Sequence, residues 1–215
     1  MEKELNHRIT VVGCGPGSPD YITPAAHKAV AASDVLIGAS RLLDVFTEST
    51  AERIAVTANI GEVLERIRSI PVEKRVAVLV TGDPGIFSLS KKIVANFGRE
   101  ACRIIPGVSS VQAAFAAIGL DWADAAIISA HKEDPEDSPS VDSWDKIAIL
   151  GGRDNSLKWI ASHLPEDTVN QRRIFLCENL TLHDECIREI DPEELASLRT
   201  SSRTVVIVVK KDLLS

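Results

Sequence analysis

Two runs constrain the fold more than anything else in the chain. "RVAVLVT", residues 75–81, and "TVVIVV", residues 204–209, are apolar at almost every position. A strand with one wet face alternates polar and apolar residues, so near-continuous runs of Val, Ile and Leu belong to strands covered on both faces. Shorter runs of the same character predict further strands at 9–12, 35–37, 102–105, 125–129, 146–150 and 173–177. Helical signals lie between them. Thr23 followed by Pro24 is an N-cap with proline at the first helical position, leading into AAHKAVAA. Asn59 and Glu62 have the spacing of a capping box, and Ile60, Val63, Leu64 and Ile67 line one helical face. Leu157, Ile160, Ala161 and Leu164 repeat that spacing, and a further helix is expected over 109–118. Strands alternating with helices predict an α/β protein with a mainly parallel sheet.

Composition narrows the function. The 215 residues are 45% hydrophobic and 26% charged, enough for one large domain or two small ones with a sizeable core. A net charge of −7, no basic run and only 4% aromatics argue against a nucleic-acid partner. No apolar stretch approaches the roughly 20 residues of a membrane span, and MEKELNHRITVVG has no signal-peptide core. Cys14, Cys102, Cys177 and Cys186 show no CxxC spacing, which fits a reduced cytoplasmic compartment and mostly buried thiols. His183 beside Asp184, near Cys177 and Cys186, matches no standard metal spacing, so no metal site is expected. "HKEDPEDSPSVDSW", residues 131–144, reads as a solvated loop, with a lid as the functional alternative.

The strands end in small-residue turns. "RITVVGCGPGSPDYITP" places Gly13, Gly15 and Gly17 after the first strand. The dinucleotide fingerprint requires G-x-G-x-x-G opening directly into a helix. Here Ser18 stands at the third position, Pro16 and Pro19 remove amide donors, and the helix starts only near Thr23. A pyrophosphate loop is therefore disfavoured, and a nicotinamide oxidoreductase with it. The pattern recurs as Gly82-Asp83-Pro84-Gly85, Pro106-Gly107-Val108-Ser109-Ser110 and Gly151-Gly152-Arg153-Asp154. Ligands of open parallel sheets bind outside the carboxyl ends of the strands. Four such turns predict a small-molecule crevice with exposed backbone and little side-chain bulk.

The order GxGPG, then GDP after a strand, then PGVSS after the next, resembles the tetrapyrrole methylases. The likeness runs over nearly the whole chain. "VVGCGPGSPDYIT", "VTGDPGIFSL", "IIPGVSSVQAAFAAIGLDW" and "ENL" followed by Glu185 are most similar to the C5-methylating part of the precorrin-6Y C5,15-methylating enzymes of cobalamin biosynthesis. Two elements depart from that subgroup. Its Ser-x-His-Gly-Arg reads "SAHKE" here, with Lys132 and Glu133 for Gly-Arg, and Thr181 stands where a glycine usually follows "ENL".

The resemblance implies two α/β domains, 1–112 and 113–215, with a mainly parallel N-terminal sheet, a mixed C-terminal sheet and a cofactor cleft between them. It implies S-adenosylmethionine as cofactor, at Thr81, Gly82, Asp83, Ile86, Ser109, Ser110, Leu150 and Gly151. It implies a tetrapyrrole substrate, cobalt-precorrin-7, methylated at C5 and facing Gly13, Gly15, Pro16, Gly17 and Tyr21. A homodimer is implied, as is a separate enzyme for C15 methylation and decarboxylation. Candidate proton-transfer groups are Asp20, His131 and Glu178. The many carboxylates of such a substrate call for a local basic rim, for which Arg41, Lys91, Lys92 and Arg153 are candidates. Bland readings stand beside these. Asp83 suits a turn that bonds its own backbone, Ser109 and Ser110 suit a helix cap, and Ile86 and Leu150 suit the core. The open alternatives in function are a superfamily member with another acceptor, an rRNA nucleotide among them, and a non-catalytic module binding a nucleotide-like ligand.

Overall fold

A computed structural model describes residues 7–57, 59–131, 143–153, 155–164 and 170–214. The chain divides into two compact units, Met1–Ser109 and Ser110–Ser215. The first contains strands β1 (Ile9–Gly13), β2 (Val35–Gly38), β3 (Glu52–Ala55), β4 (Val76–Val80) and β5 (Cys102–Ile105). They form one sheet in the order β3-β2-β4-β1-β5, and every pairing is parallel. β4 and β1 are central, and their side chains are buried on both faces as the apolar runs require. Ile9, Val11, Val35, Ile37, Val76 and Val78 pack on one face against Val63 and Ile67 of α3 (Ile60–Ser69) and Ile93 of α4 (Ser90–Phe97). Val12, Leu36, Ala77 and Leu79 pack on the other, against Ala26 and Val30 of α1 (Pro24–Ala31) and Leu42 and Leu43 of α2 (Ser40–Leu43).

Local chemistry sets the helix ends. Thr23 caps α1, its Oγ1 accepting from the Ala26 amide at 3.1 Å, with Pro24 at the first position. The capping box expected at Asn59 does not close. Asn59 Oδ1 accepts from the Gly61 amide at 2.9 Å, but Glu62 turns away to accept from Thr57 Oγ1 at 2.9 Å. Arg8 closes the other end of α3, donating to the carbonyls of Ile67 and Ile70 at 3.0 and 2.6 Å.

The second unit contains α5 (Ser110–Ala117), β6 (Ala126–Ser129), β7 (Lys146–Leu150), α6 (Ser156–Ser162), β8 (Arg172–Glu178), β9 (Cys186–Ile190) and β10 (Thr204–Lys210). Its sheet runs β6-β7-β10-β8-β9. β6 and β7 are parallel, whereas β10 is antiparallel to both neighbours and β9 antiparallel to β8. The sheet is therefore mixed. One face packs Ile147, Ile149, Ile174, Val206 and Val208 against Leu157 and Ile160 of α6. The other packs Ala148, Cys177, Val205 and Ile207 against Val111, Ala114 and Phe115 of α5. Of segment 131–144, residues 132–142 lie outside the described residues, and so do Lys132 and Glu133.

Candidate active site

In the first unit the parallel order brings three turns together at the carboxyl ends of β4, β1 and β5. The β1 turn is bridged to the β4 turn: Gly15 and Gly82 pair as an isolated antiparallel bridge, and the Gly82 amide donates to the Gly15 carbonyl at 2.7 Å. The glycines explain themselves here. A Cβ on Gly13 would lie 2.6 Å from the Gly107 nitrogen and 2.8 Å from the Gly82 carbonyl oxygen. A Cβ on Gly107 would fall on that same carbonyl and 2.8 Å from the Gly13 carbonyl carbon. Three loops thus touch backbone to backbone, which only residues without side chains allow. Among the residues expected to face substrate, Gly13, Gly15 and Pro16 are buried, Gly17 is half-buried, and Tyr21 is exposed.

Asp83 fastens this cluster. Its Oδ1 accepts from the Gly85 amide at 2.7 Å, which is the turn-forming bond of the bland reading. Its Oδ2 accepts from the Gly107 amide at 3.0 Å and so ties the β4 turn to the β5 turn. The amide of Ile86 donates to the Asp83 carbonyl at 3.2 Å. Two amides among the residues expected to hold a cofactor, those of Gly82 and Ile86, are therefore committed within the protein, as are those of neighbouring Gly85 and Gly107. Arg41 donates to Thr81 Oγ1 at 2.5 Å, which places one rim cation at the mouth of β4, while Lys91 and Lys92 stand exposed on α4. Ser109 is buried at the end of this unit. Asp20 is exposed in the short turn Pro19–Tyr21.

In the second unit, the end of the sheet that carries Ser129, Leu150 and Glu178 gathers the remaining residues. Leu150 pairs with Val205, and the Gly151 amide donates to the Thr204 carbonyl at 2.9 Å. His131 Nδ1 lies 2.8 Å from the Gly151 carbonyl oxygen. A carbonyl only accepts, so Nδ1 carries the proton and, in the neutral ring, Nε2 is the basic nitrogen. Arg153 Nε donates to the Ala130 carbonyl at 3.2 Å beside them. Glu178 is differently placed. Its Oε1 accepts from the Ser201 amide at 2.7 Å and its Oε2 lies 3.8 Å from Arg188, with the side chain only 14% exposed. That carboxylate holds the 201–204 turn to β8. Ser110 opens α5 and is half-buried. Among the described residues, no group of three His, Cys, Asp or Glu side chains stands where it could hold a metal ion. No described helix is long and apolar enough to cross a membrane.

Some of this arrangement has no counterpart in single-residue reasoning. The second amide on Asp83 and the three-glycine contact need the strand order β4-β1-β5, which no local pattern encodes. The glycine-rich turns after β1, β4 and β5 are their signal in the sequence.

Residues 8–196 match the sequence profile of a family described as Tetrapyrrole (Corrin/Porphyrin) Methylases. The chain is similar to the probable cobalt-precorrin-7 C(5)-methyltransferase of Methanocaldococcus jannaschii, 32% identical over 206 residues, 93% of this chain and 96% of that one. It is similar to the cobalt-precorrin-7 C(5)-methyltransferase of Salmonella typhimurium, 34% identical over 179 residues, 83% of this chain and 88% of the relative. A solved structure of the cobalamin biosynthesis precorrin-6Y methylase from Archaeoglobus fulgidus superposes with a TM-score of 0.70 at 27% identity, covering 95% of this chain and 99% of that one.

Proposed function

We propose a C5-methyltransferase from one premise: the chain belongs to the tetrapyrrole (corrin/porphyrin) methylase family. The enzyme transfers a methyl group from S-adenosylmethionine to C5 of a precorrin, cobalt-precorrin-7, in cobalamin biosynthesis. The observation that carries this reading is the likeness to two C5-methyltransferases over 93% and 83% of the chain.

The cofactor residues we propose are Thr81, Gly82, Asp83, Ile86 and Ser109 in the first unit and Ser110, Leu150 and Gly151 in the second. They fit the group in one respect. The turn from Gly82 to Gly85 carries no long side chain and is exposed at Gly85, where a polar ligand reaches main chain, while half-buried Ile86 and Leu150 offer apolar surface. With several amides already committed, carbonyl oxygens and the remaining donors do the binding. When bound, S-adenosylmethionine supplies an electrophilic methyl group. The protein's part is then largely orientation, since an in-line displacement is accelerated by positioning alone. Asp83 serves it by fixing two loops at once. Gly13, Gly15, Pro16, Gly17 and Tyr21 form the substrate-facing loop in this reading, and Arg41 and Arg153 are its rim cations. Of the three acid–base candidates, His131 is the proton acceptor we favour, because its Nδ1 bond leaves Nε2 as the base. Glu178 is spent on Ser201 and Arg188. Family likeness also supports a homodimer, a cytoplasmic location and a separate enzyme for C15.

The test is in two steps. Calorimetric titration with S-adenosylhomocysteine should show one site per chain. Incubation with S-adenosylmethionine and cobalt-precorrin-7 should then add one methyl group, placed at C5 by NMR. Methylation at another carbon would move the chain to another member of the family. Binding of S-adenosylhomocysteine with no turnover of any tetrapyrrole would favour a binding module.

A further inference from the structure

The β4 loop contains one residue that takes no part in the glycine contacts or the Asp83 hydrogen bonds. Phe87 has φ +44°, in the left-handed region that bulky side chains avoid, and it is 62% exposed. Neither property serves the fold. A ring this far into water forgoes most of the burial that stabilises a phenylalanine elsewhere, and the backbone beneath it is strained.

The strain is held from both sides. Upstream, Asp83 accepts from the amides of Gly85, Ile86 and Gly107 through its carboxylate and carbonyl oxygens. Downstream, the hydroxyls of Ser88 and Ser90 both reach the buried Pro84 carbonyl, and the Ser90 amide donates to Ser88 Oγ at 3.1 Å. Strain of this kind persists only where its surroundings over-determine it, and it collects at ligand clamps. A second exposed aromatic stands on the neighbouring loop. Tyr21 is 43% exposed, and a Cβ on Gly15 would lie 2.9 Å from its carbonyl oxygen. Gly15 in turn bridges to Gly82. The loops that follow the adjacent strands β1 and β4 thus each present an aromatic ring and are joined at their bases.

We propose that Phe87 is a substrate-contacting residue, its ring held out by its left-handed backbone to pack on the flat face of the conjugated macrocycle, with Tyr21 as a second contact. The proposal rests on the C5-methyltransferase reading. Shape selects the macrocycle over the cofactor. A small cofactor sits in a concave site with most of its surface enclosed. A ring standing two thirds in water suits a broad, flat partner laid across it, and offset stacking of the two π-faces is favourable.

The experiment uses the full-length protein and the variants Phe87→Ala, Phe87→Gly and Phe87→Tyr. Affinity for cobalt-precorrin-7 is read by absorbance titration and as KM, affinity for S-adenosylhomocysteine by calorimetry, and folding by the thermal midpoint. Phe87→Ala should weaken macrocycle binding about tenfold and leave S-adenosylhomocysteine affinity unchanged. Phe87→Tyr should restore it. Phe87→Gly should weaken the macrocycle as much as Phe87→Ala while melting at least as high, because glycine accepts the left-handed backbone. Unchanged macrocycle affinity in Phe87→Ala overturns the assignment, and so does a loss confined to S-adenosylhomocysteine. A wild type that neither binds nor methylates cobalt-precorrin-7 overturns the functional reading itself. A wild type that does both, beside an equally competent Phe87→Ala, overturns only the role of the ring.

Discussion

Thr181 occupies a backbone conformation that its own side chain resists. Its φ is +69°, and it stands where the resembling subgroup has glycine. A β-branched residue in the left-handed region is strained by on the order of 1–2 kcal/mol, and glycine gives back roughly 0.5–1 kcal/mol through its freer unfolded chain. Thr181→Gly should therefore stabilise the protein by about 1 kcal/mol, read as a rise in the urea midpoint. The hydrogen bond that its backbone N–H donates to Glu185 Oε2 at 2.6 Å survives the change, because it uses the main chain. An unchanged or lower midpoint would show that the threonine side chain has contacts worth more than its strain. The buried thiols give a prediction in pH. Burial pushes the thiols of Cys14 and Cys177 up to about 12. An unfolded thiol ionises near about 8.5, so above that pH the unfolded chain loses protons that the folded chain keeps. The thiols' contribution is intact below about pH 8.5 and is lost as pH rises toward 12. The denaturant midpoint should fall between pH 8.5 and 10.5, and fall less in Cys14→Ala. At this scale the sequence was half legible. Thr23 and Pro24 announced their cap, and Asp83 announced its own turn. The left-handed states of Phe87 and Thr181 left no trace in composition or spacing, because they are imposed by loops that close around them.

Among the elements, the apolar runs were the reliable signal. The strands with buried side chains on both faces match their expected ranges to within a residue or two, β7 at both ends and β4 and β10 to within a residue at each end. The two that escaped, β3 and β9, lie at sheet edges. β3 reads ERIA and β9 CIREI, with most positions exposed, so neither offers the run or the alternation that marks a strand. The capping box at α3 failed for a related reason: Glu62 had a competitor, Thr57, that its three-residue spacing does not reveal. The turns between elements carry the tightest constraint. Gly107→Ala would press a methyl group into the main chain of Gly82 and Gly13, where no flexible side chain can yield. Overpacking of that kind costs about 1–3 kcal/mol. The variant should show a lowered thermal midpoint together with weakened S-adenosylhomocysteine binding. A substitution at Gly119, whose Cβ would meet nothing within 4 Å, should leave the ligand affinity alone despite its φ of +71°.

For the whole molecule, alternation of strands and helices gave the α/β class, and the mixed second sheet came only with the family resemblance. Residues alone could not supply it, since an apolar run does not say which way its neighbour points. The two units differ in how their sheets are assembled along the chain. Every strand of the first sheet lies before residue 106, and that sheet needs nothing later. In the second, β10 sits between β7 and β8, although it follows every other described strand in sequence. Removing residues 204–215 should leave a protease-resistant fragment close to Met1–Ser109 and a second unit that is digested, read by limited proteolysis and mass spectrometry. Equal resistance of both units would show that β7 and β8 can close without their central partner. During synthesis the same placement sets a timetable. The first unit can close while the ribosome is still making the second, but β7 and β8 must wait with facing edges open until the strand between them emerges, and in that interval the nascent chain is most exposed to pairing with the wrong partner.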